Sequence, residues 1–377
     1  MGNLVEDLSA DAATRIGAAC EGHPLFAEEL IAMLIDDGQL RRGDEGPWEL
    51  VDVPAVLPVP PTIQALLGAR VDSLPDDERA LLTHVSVEGN VFHRDAMRAL
   101  APAALAPVVD RSLTSLIRRD VIRPDRSSFG EDEAFRFRHI LMRDAAYRSL
   151  PKETRAQLHE RFADWMERAT GERVHEFEEI LGYHLEQAHR FLVELGRSGD
   201  EADALAARGS ERLESAGDRA LRRSDRAAAV TLLERAVALA SGDMRRRAEL
   251  LPVLGAALIE AGRLIDADAV LADATLAADT SGDESAAARA LTQRQFLRLH
   301  RGESSGTAEA SAVVERVIPV FEAAGDERGL CSALRLRGWH NWIEAHAEAA
   351  AAAWEEAAEH AKSGGLEHER IDILGWI

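Results

Sequence analysis

Lysine is almost missing from this chain: of 44 basic residues, only Lys152 and Lys362 are not arginine. A phosphate-cradling P-loop needs G-x-x-x-x-G-K-[ST], because backbone amides hold the phosphates while the lysine reaches the β and γ oxygens. Lys152 is followed by Glu153; Lys362 is followed by Ser363, but Ala361 and Glu356 stand where the two glycines belong. No second acidic strand motif for magnesium accompanies either lysine, so no ATP hydrolysis is expected of this chain alone.

Cysteine is equally scarce. Cys20 and Cys331 lie far apart, which excludes a disulfide framework or a cysteine-rich metal site and fits a reducing compartment. No apolar run approaches the length of about 18 residues that a membrane span needs, and no signal-peptide pattern follows Met1. A cytoplasmic protein with no membrane partner is expected. Aromatic residues make up only 5% of the chain, so the apolar surface must come from elsewhere.

It comes from alanine and leucine. A hydrophobic content of 46% built on these residues favours closely packed helices, since alanine carries no helix penalty. With 377 residues the chain has room for two or three domains. The net charge of −22 repels phosphate backbones and anionic lipid, so nucleic acid is disfavoured and proteins are the default partners.

Residues 11 to 38 read as two helices broken at "EGHPLF". Gly22 ends the first, Pro24 suits the first turn of the second, and Phe26, Leu30, Met33 and Leu34 form its apolar stripe. Residues 41–60, with Gly43, Gly46, "WELVDV" and the prolines Pro54, Pro58 and Pro60, followed directly by Pro61, read as a short hairpin or extended linker. From 61 to 150 four helical segments, "PPTIQALLGARVDSL", "PDDERALLTHVSV", "FHRDAMRAL" and "APVVDRSLTSLIRRD", precede two strands, "VIRPD" and "AFRFR", around the turn-forming "RSSFGED". Short helices closed by a hairpin describe a winged-helix domain. Residues 151–200 supply two long amphipathic connecting helices.

From 201 to 377 there is a repeat. Gly217, Ala229, Leu233 and Ala236 are spaced 12, 4 and 3 apart; Gly255, Ala267, Leu271 and Ala274 repeat the spacing, as do Gly338, Ala350, Trp354 and Ala357. Small residues at fixed places on two consecutive helices let them approach closely, and this is the spacing of the tetratricopeptide repeat. Starts 38 and then 83 residues apart place a degenerate unit near 285 to 323. The final "WI" stops inside what reads as the first helix of another pair, and because a solenoid normally ends in a polar cap the sequence is expected to be truncated. The expected fold class is mainly all-α.

Taken in order, "EGHPLFAEELIAML", "VPPTIQALLGARVDSLP", "FRFRHILMRDAAYRSLPKETRAQLHERFADWM" and the helix pairs resemble the carboxy-terminal part of bacterial signal-transduction ATPases of the STAND class. The likeness is to the large regulators in which a class III nucleotide cyclase or a DNA-binding domain accompanies the AAA-like ATPase. It implies that residues 1–40 are the helical lid remnant of an ATPase module, that 61–150 is its winged helix, and that the solenoid senses a protein or small-molecule effector. It implies ATP or ADP as cofactor of a full-length parent that supplies the missing ATPase core, and none in this chain. On the same resemblance Pro24 matches the lid proline near the adenine, and His139 the histidine that contacts the ADP phosphate. Read without the family, Pro24 starts a helix and His139 caps a strand.

Other constellations point to no catalytic or metal residue. His175 and Glu176 begin like H-E-x-x-H, but the second histidine position is Glu179, and His184 and His189 are five apart, so solvated helix histidines are expected. Arg118, Arg119, Arg123 and Arg126 could make a phosphate-binding patch; Asp110, Asp120 and Asp125 interleave with them and favour a solvated or self-paired face. Two other functions stay open beside the signalling regulator: a free-standing tetratricopeptide adaptor and a winged-helix transcription regulator.

Overall fold

A computed structural model describes residues 7–20, 24–42, 46–51, 53, 62–127 and 132–377. The linker prolines Pro54, Pro58, Pro60 and Pro61, the expected helix break at Gly22 and the turn residues 128–131 lie outside the described residues. The chain divides into two compact units, 1–171 and 172–377.

In the first unit, α1 (Ala10–Cys20) and α2 (Pro24–Asp36) pack with a small antiparallel hairpin, β1 (Leu40–Arg42) and β2 (Trp48–Leu50). Ala12, Ile16, Leu30, Leu34 and Leu40 form this core, which Leu66 completes from the next helix, α3 (Ile63–Asp72). The neighbouring Leu67 and Val71 of α3 enter a second core instead. Apolar on both sides, α3 is therefore a shared wall.

The second core is enclosed by α4 (Asp76–Val85), α5 (Arg94–Leu100), α6 (Val109–Arg118) and α7 (Ile140–Ser149) with a three-stranded antiparallel sheet. The sheet comprises β3 (Val91–His93), β4 (Ile122–Asp125) and β5 (Ala134–Phe137), in the order β3-β5-β4. The β4–β5 hairpin is the one expected from the sequence. Strand β3 is not: "FHRDAMRAL" reads as helix throughout, yet Val91, Phe92 and His93 pair with Arg136, Phe135 and Ala134, and helix begins only at Arg94. Phe92 then lies 5.3 Å from Phe137 and 5.9 Å from Phe135, ring centre to ring centre, at the middle of this core. Helix α8 (Lys152–Thr170) packs on α5.

The second unit is an α-solenoid. Its helices are α9 (Glu178–Glu194), α10 (Asp200–Arg222), α11 (Arg226–Leu239), α12 (Met244–Glu260), α13 (Leu264–Ser281), α14 (Glu284–His300), α15 (Ser304–Ala324), α16 (Glu327–Ile343), α17 (Ala347–Ser363) and α18 (Glu367–Leu374). α10 pairs with α11, α12 with α13, α14 with α15 and α16 with α17. The pair α14–α15 occupies the place expected for the degenerate unit. The aligned glycines explain the closeness: a Cβ on Gly217 would stand 3.0 Å from Leu233 Cγ, and one on Gly255 or Gly338 would collide with Leu271 or Trp354, each sixteen positions on. The turn inside each pair carries one left-handed residue, Ser224, Gly262, Gly302 or Ala345, at φ 58 to 73°. First helices of successive pairs also touch, α12 with α14 and α14 with α16, and they form an inner layer in which α18 reaches back to α10.

Candidate functional site

His139 follows β5 directly and stands at the N-cap of α7 with extended backbone, φ −134° and ψ 139°. Its carbonyl accepts from the amides of Met142 and Arg143, so the joint is fastened through the backbone and the ring is not used as a cap. Alternation along β5 sets its direction. Phe135 and Phe137 are buried, while Arg136 pairs with Asp125 at 2.5 Å and Arg138 with Asp120 at 3.4 Å.

The ring meets a buried carboxylate. Nε2 of His139 lies 2.8 Å from Oε1 of Glu29 on α2, out of line for a directed hydrogen bond. The other oxygen of Glu29 accepts from Nη1 of Arg70 on α3. Arg70 and Glu29 are only 2% and 4% exposed, His139 23%. Nη2 of Arg70 donates at 2.7 Å to the carbonyl of Arg119, the C-cap of α6. Its Nε lies 3.8 Å from Asp36, at the end of α2. Burial pushes the Asp36 carboxyl above its ordinary value against the pull of Arg70 and Arg119.

Four elements therefore meet on one ion pair set between two hydrophobic cores. Such a pair adds little net stability, but removing one partner strands a buried charge, typically at a cost of about 3–5 kcal/mol. Chemically the cluster clamps α2 to the helix-and-hairpin module. Pro24 is the exposed first residue of α2; what reaches His139 is Glu29, five residues further along. Glu29 and Arg70 are the functional residues that sequence reasoning misses. Neither carries a local signal: Glu29 follows a second glutamate, Glu28, and Arg70 is one arginine among many.

Of the arginines near the end of α6 and in the hairpin, Arg119 is engaged within the unit, while Arg118, Arg123 and Arg126 are exposed. Arg119 lies 3.5 Å from Glu78, and Asp110 takes a forked pair from Arg98 at 2.7 and 2.8 Å. On α9, His184 is buried, contrary to the solvated position expected. Nδ1 of His189 lies 3.0 Å from the Ala202 carbonyl.

On the solenoid, a groove of about 910 Å³ opens where α13, α14 and α15 meet, floored by Leu291, Val313 and Val317 and edged by Arg294, Arg298 and Arg316. On the inner layer, Arg328 of α16 binds Asp218 of α10 at 3.0 Å. Burial opposes its charge, yet the carboxylates of Asp218, Glu369 and Glu214 outweigh burial and hold Arg328 above the ordinary arginine value. Beyond it Trp339, Trp354 and Trp376 pack edge to face and tilted, and Trp342 beside them is exposed.

No protein-family model matches the chain, and no curated protein matches it. Among solved structures it is similar to a Signal Transduction ATPase with Numerous Domains (STAND) protein with a tetratricopeptide repeat sensor, PH0952 from Pyrococcus horikoshii. The identity is 15% and the TM-score 0.40, covering 96% of this chain and 52% of that one. The chain thus spans about half the length of that protein. It is also similar to yeast Tom70, at 11% identity and a TM-score of 0.22, over 83% of this chain and 84% of that one. Both likenesses are loose, and the architecture rests on the helix pairing itself.

Proposed function

We propose that this chain is the regulatory and protein-interaction portion of a STAND-type signalling ATPase: lid helices, a winged helix and a tetratricopeptide sensor, dependent on an ATPase core in a longer parent for any nucleotide chemistry. In this reading the parent is a cytoplasmic bacterial regulator of the cyclase-associated kind. The observation that supports it is the buried Glu29–Arg70 clamp with His139 beside it. A shared polar joint between a lid helix and a winged helix suits a part whose position relative to the lid carries the signal. The solenoid, with its groove and exposed tryptophan, serves as the surface for an effector.

In this reading the chain makes no nucleotide site by itself. The chain has no P-loop sequence, and Nε2 of His139 already faces the Glu29 carboxylate, which does not suit a phosphate at the same nitrogen. Thermal unfolding with millimolar ATP or ADP should therefore show no shift; a saturable shift at micromolar nucleotide would count against the reading. The deciding experiment is to read the frame upstream of Met1. A Walker A loop there supports the regulator, whereas a ribosome-binding site directly before Met1 supports the free-standing adaptor, which the same groove would serve.

A further inference from the structure

We propose that Glu260, His368 and Asp372 form a binding site for a divalent transition metal of the zinc class, tying α18 to the end of α12. The site lies on the solenoid and does not depend on the function proposed above.

His368 and Asp372 are four apart on α18 and share one face. Glu260 is the last residue of α12 and comes to that face from more than a hundred positions earlier. Nε2 of His368 lies 3.6 Å from Oδ2 of Asp372 and 4.0 Å from Oε2 of Glu260, and the three ligand atoms lie within 4.8 Å of one another. Both contacts are too long for hydrogen bonds, which end near 3.2 Å. They suit ligands around one ion: bonds of about 2.0–2.2 Å to nitrogen and oxygen set neighbouring ligand atoms about 3 to 3.5 Å apart.

The donor set selects the metal. One imidazole with two carboxylates suits zinc or its neighbours, whereas magnesium and calcium take oxygen ligands. Two carboxylates brought together also repel each other, and a doubly charged cation removes that repulsion. The backbone beneath is fixed in advance: Ile373 is fully buried and Leu366 nearly so, in a cluster with Trp354 and Ala361, which anchors α18 on either side of the two ligands. Three protein ligands leave coordination positions for water. Binding would fasten the helix that reaches back to α10 and so brace the curl of the inner layer.

The test is a zinc titration of the metal-free chain against a chromophoric chelator, on the parent and on His368→Gln, Glu260→Gln and Asp372→Asn. One equivalent should bind tightly to the parent. Each variant should bind it at least about tenfold more weakly, since changes to groups behind the ligands alone cost about 10- to 100-fold. His346→Gln, at an exposed histidine elsewhere, should bind as the parent does. Zinc should raise the melting temperature of the parent in proportion to occupancy and slow amide exchange in α18, and should do neither in the variants. Unchanged zinc affinity in all three variants, or no stoichiometric uptake by the parent, overturns the site. Circular dichroism of each variant at equal helicity ensures that lost binding reports ligation rather than unfolding.

Discussion

A carboxylate and a guanidinium taken out of water together depend on each other, so Glu29 cannot be removed without stranding Arg70. Glu29→Ala should therefore destabilise the first unit by about 3–5 kcal/mol, read as a lowered melting temperature. The double change Glu29→Leu with Arg70→Met should recover most of that loss. About 1 kcal/mol should remain, for the hydrogen bond Arg70 makes to the Arg119 carbonyl. A double variant no better than the single would show that the clamp works by shape and not by charge. None of this is legible in the sequence beyond His139 itself, which alternation in "FRFRH" places at the joint. The apolar stripe of α2 runs through Phe26, Leu30, Met33 and Leu34, and Glu29 stands at its edge beside Glu28, where a charged residue reads as surface. Its burial depends on Arg70, 41 positions away, and a distance of that kind leaves no mark in a local period.

At the scale of elements the small residues carry the argument. Ala236 and Ala274 are fully buried on α11 and α13, at positions that the 12-4-3 spacing aligns from the amino-acid sequence alone. Ala236→Leu or Ala274→Leu should overpack its helix pair and cost about 1–3 kcal/mol, measured by thermal or urea unfolding. If both variants melt with the parent, the repeat register is wrong. The repeat is legible because its determinants sit within two consecutive helices, where spacing is geometry. Strand β3 is not, because three residues become a strand only by pairing with β5, some 40 positions later. The helical spacing of Phe92, Ala96 and Met97 that suggests a helix is real, but Phe92 serves the core from the sheet.

Taken whole, the molecule carries a net charge of −22, and the solenoid concentrates part of it on its own inner layer. Asp218 and Glu214 on α10 and Glu369 on α18 all act on Arg328 of α16; Arg246 also pairs with Glu214 at 2.5 Å, so Arg328 chiefly offsets the carboxylates of Asp218 and Glu369 brought together by the curl. No period in the sequence announces this meeting, since the curl is set by how each pair tilts on the next. Arg328→Gln would leave the carboxylates to repel across the layer. The group is about one-third exposed, so the loss should fall between that of a surface pair and a buried one, about 1–2 kcal/mol at low salt. Repulsion between partly solvated charges is screened as the Debye length shrinks from about 10 Å at 0.1 M to about 3 Å at 1 M. Sodium chloride should therefore raise the melting temperature of Arg328→Gln more than that of the parent, closing at least about half the gap by 1 M. A gap independent of salt would assign the role of Arg328 to packing of its stem, and the inner layer would then be held by contact and not by charge.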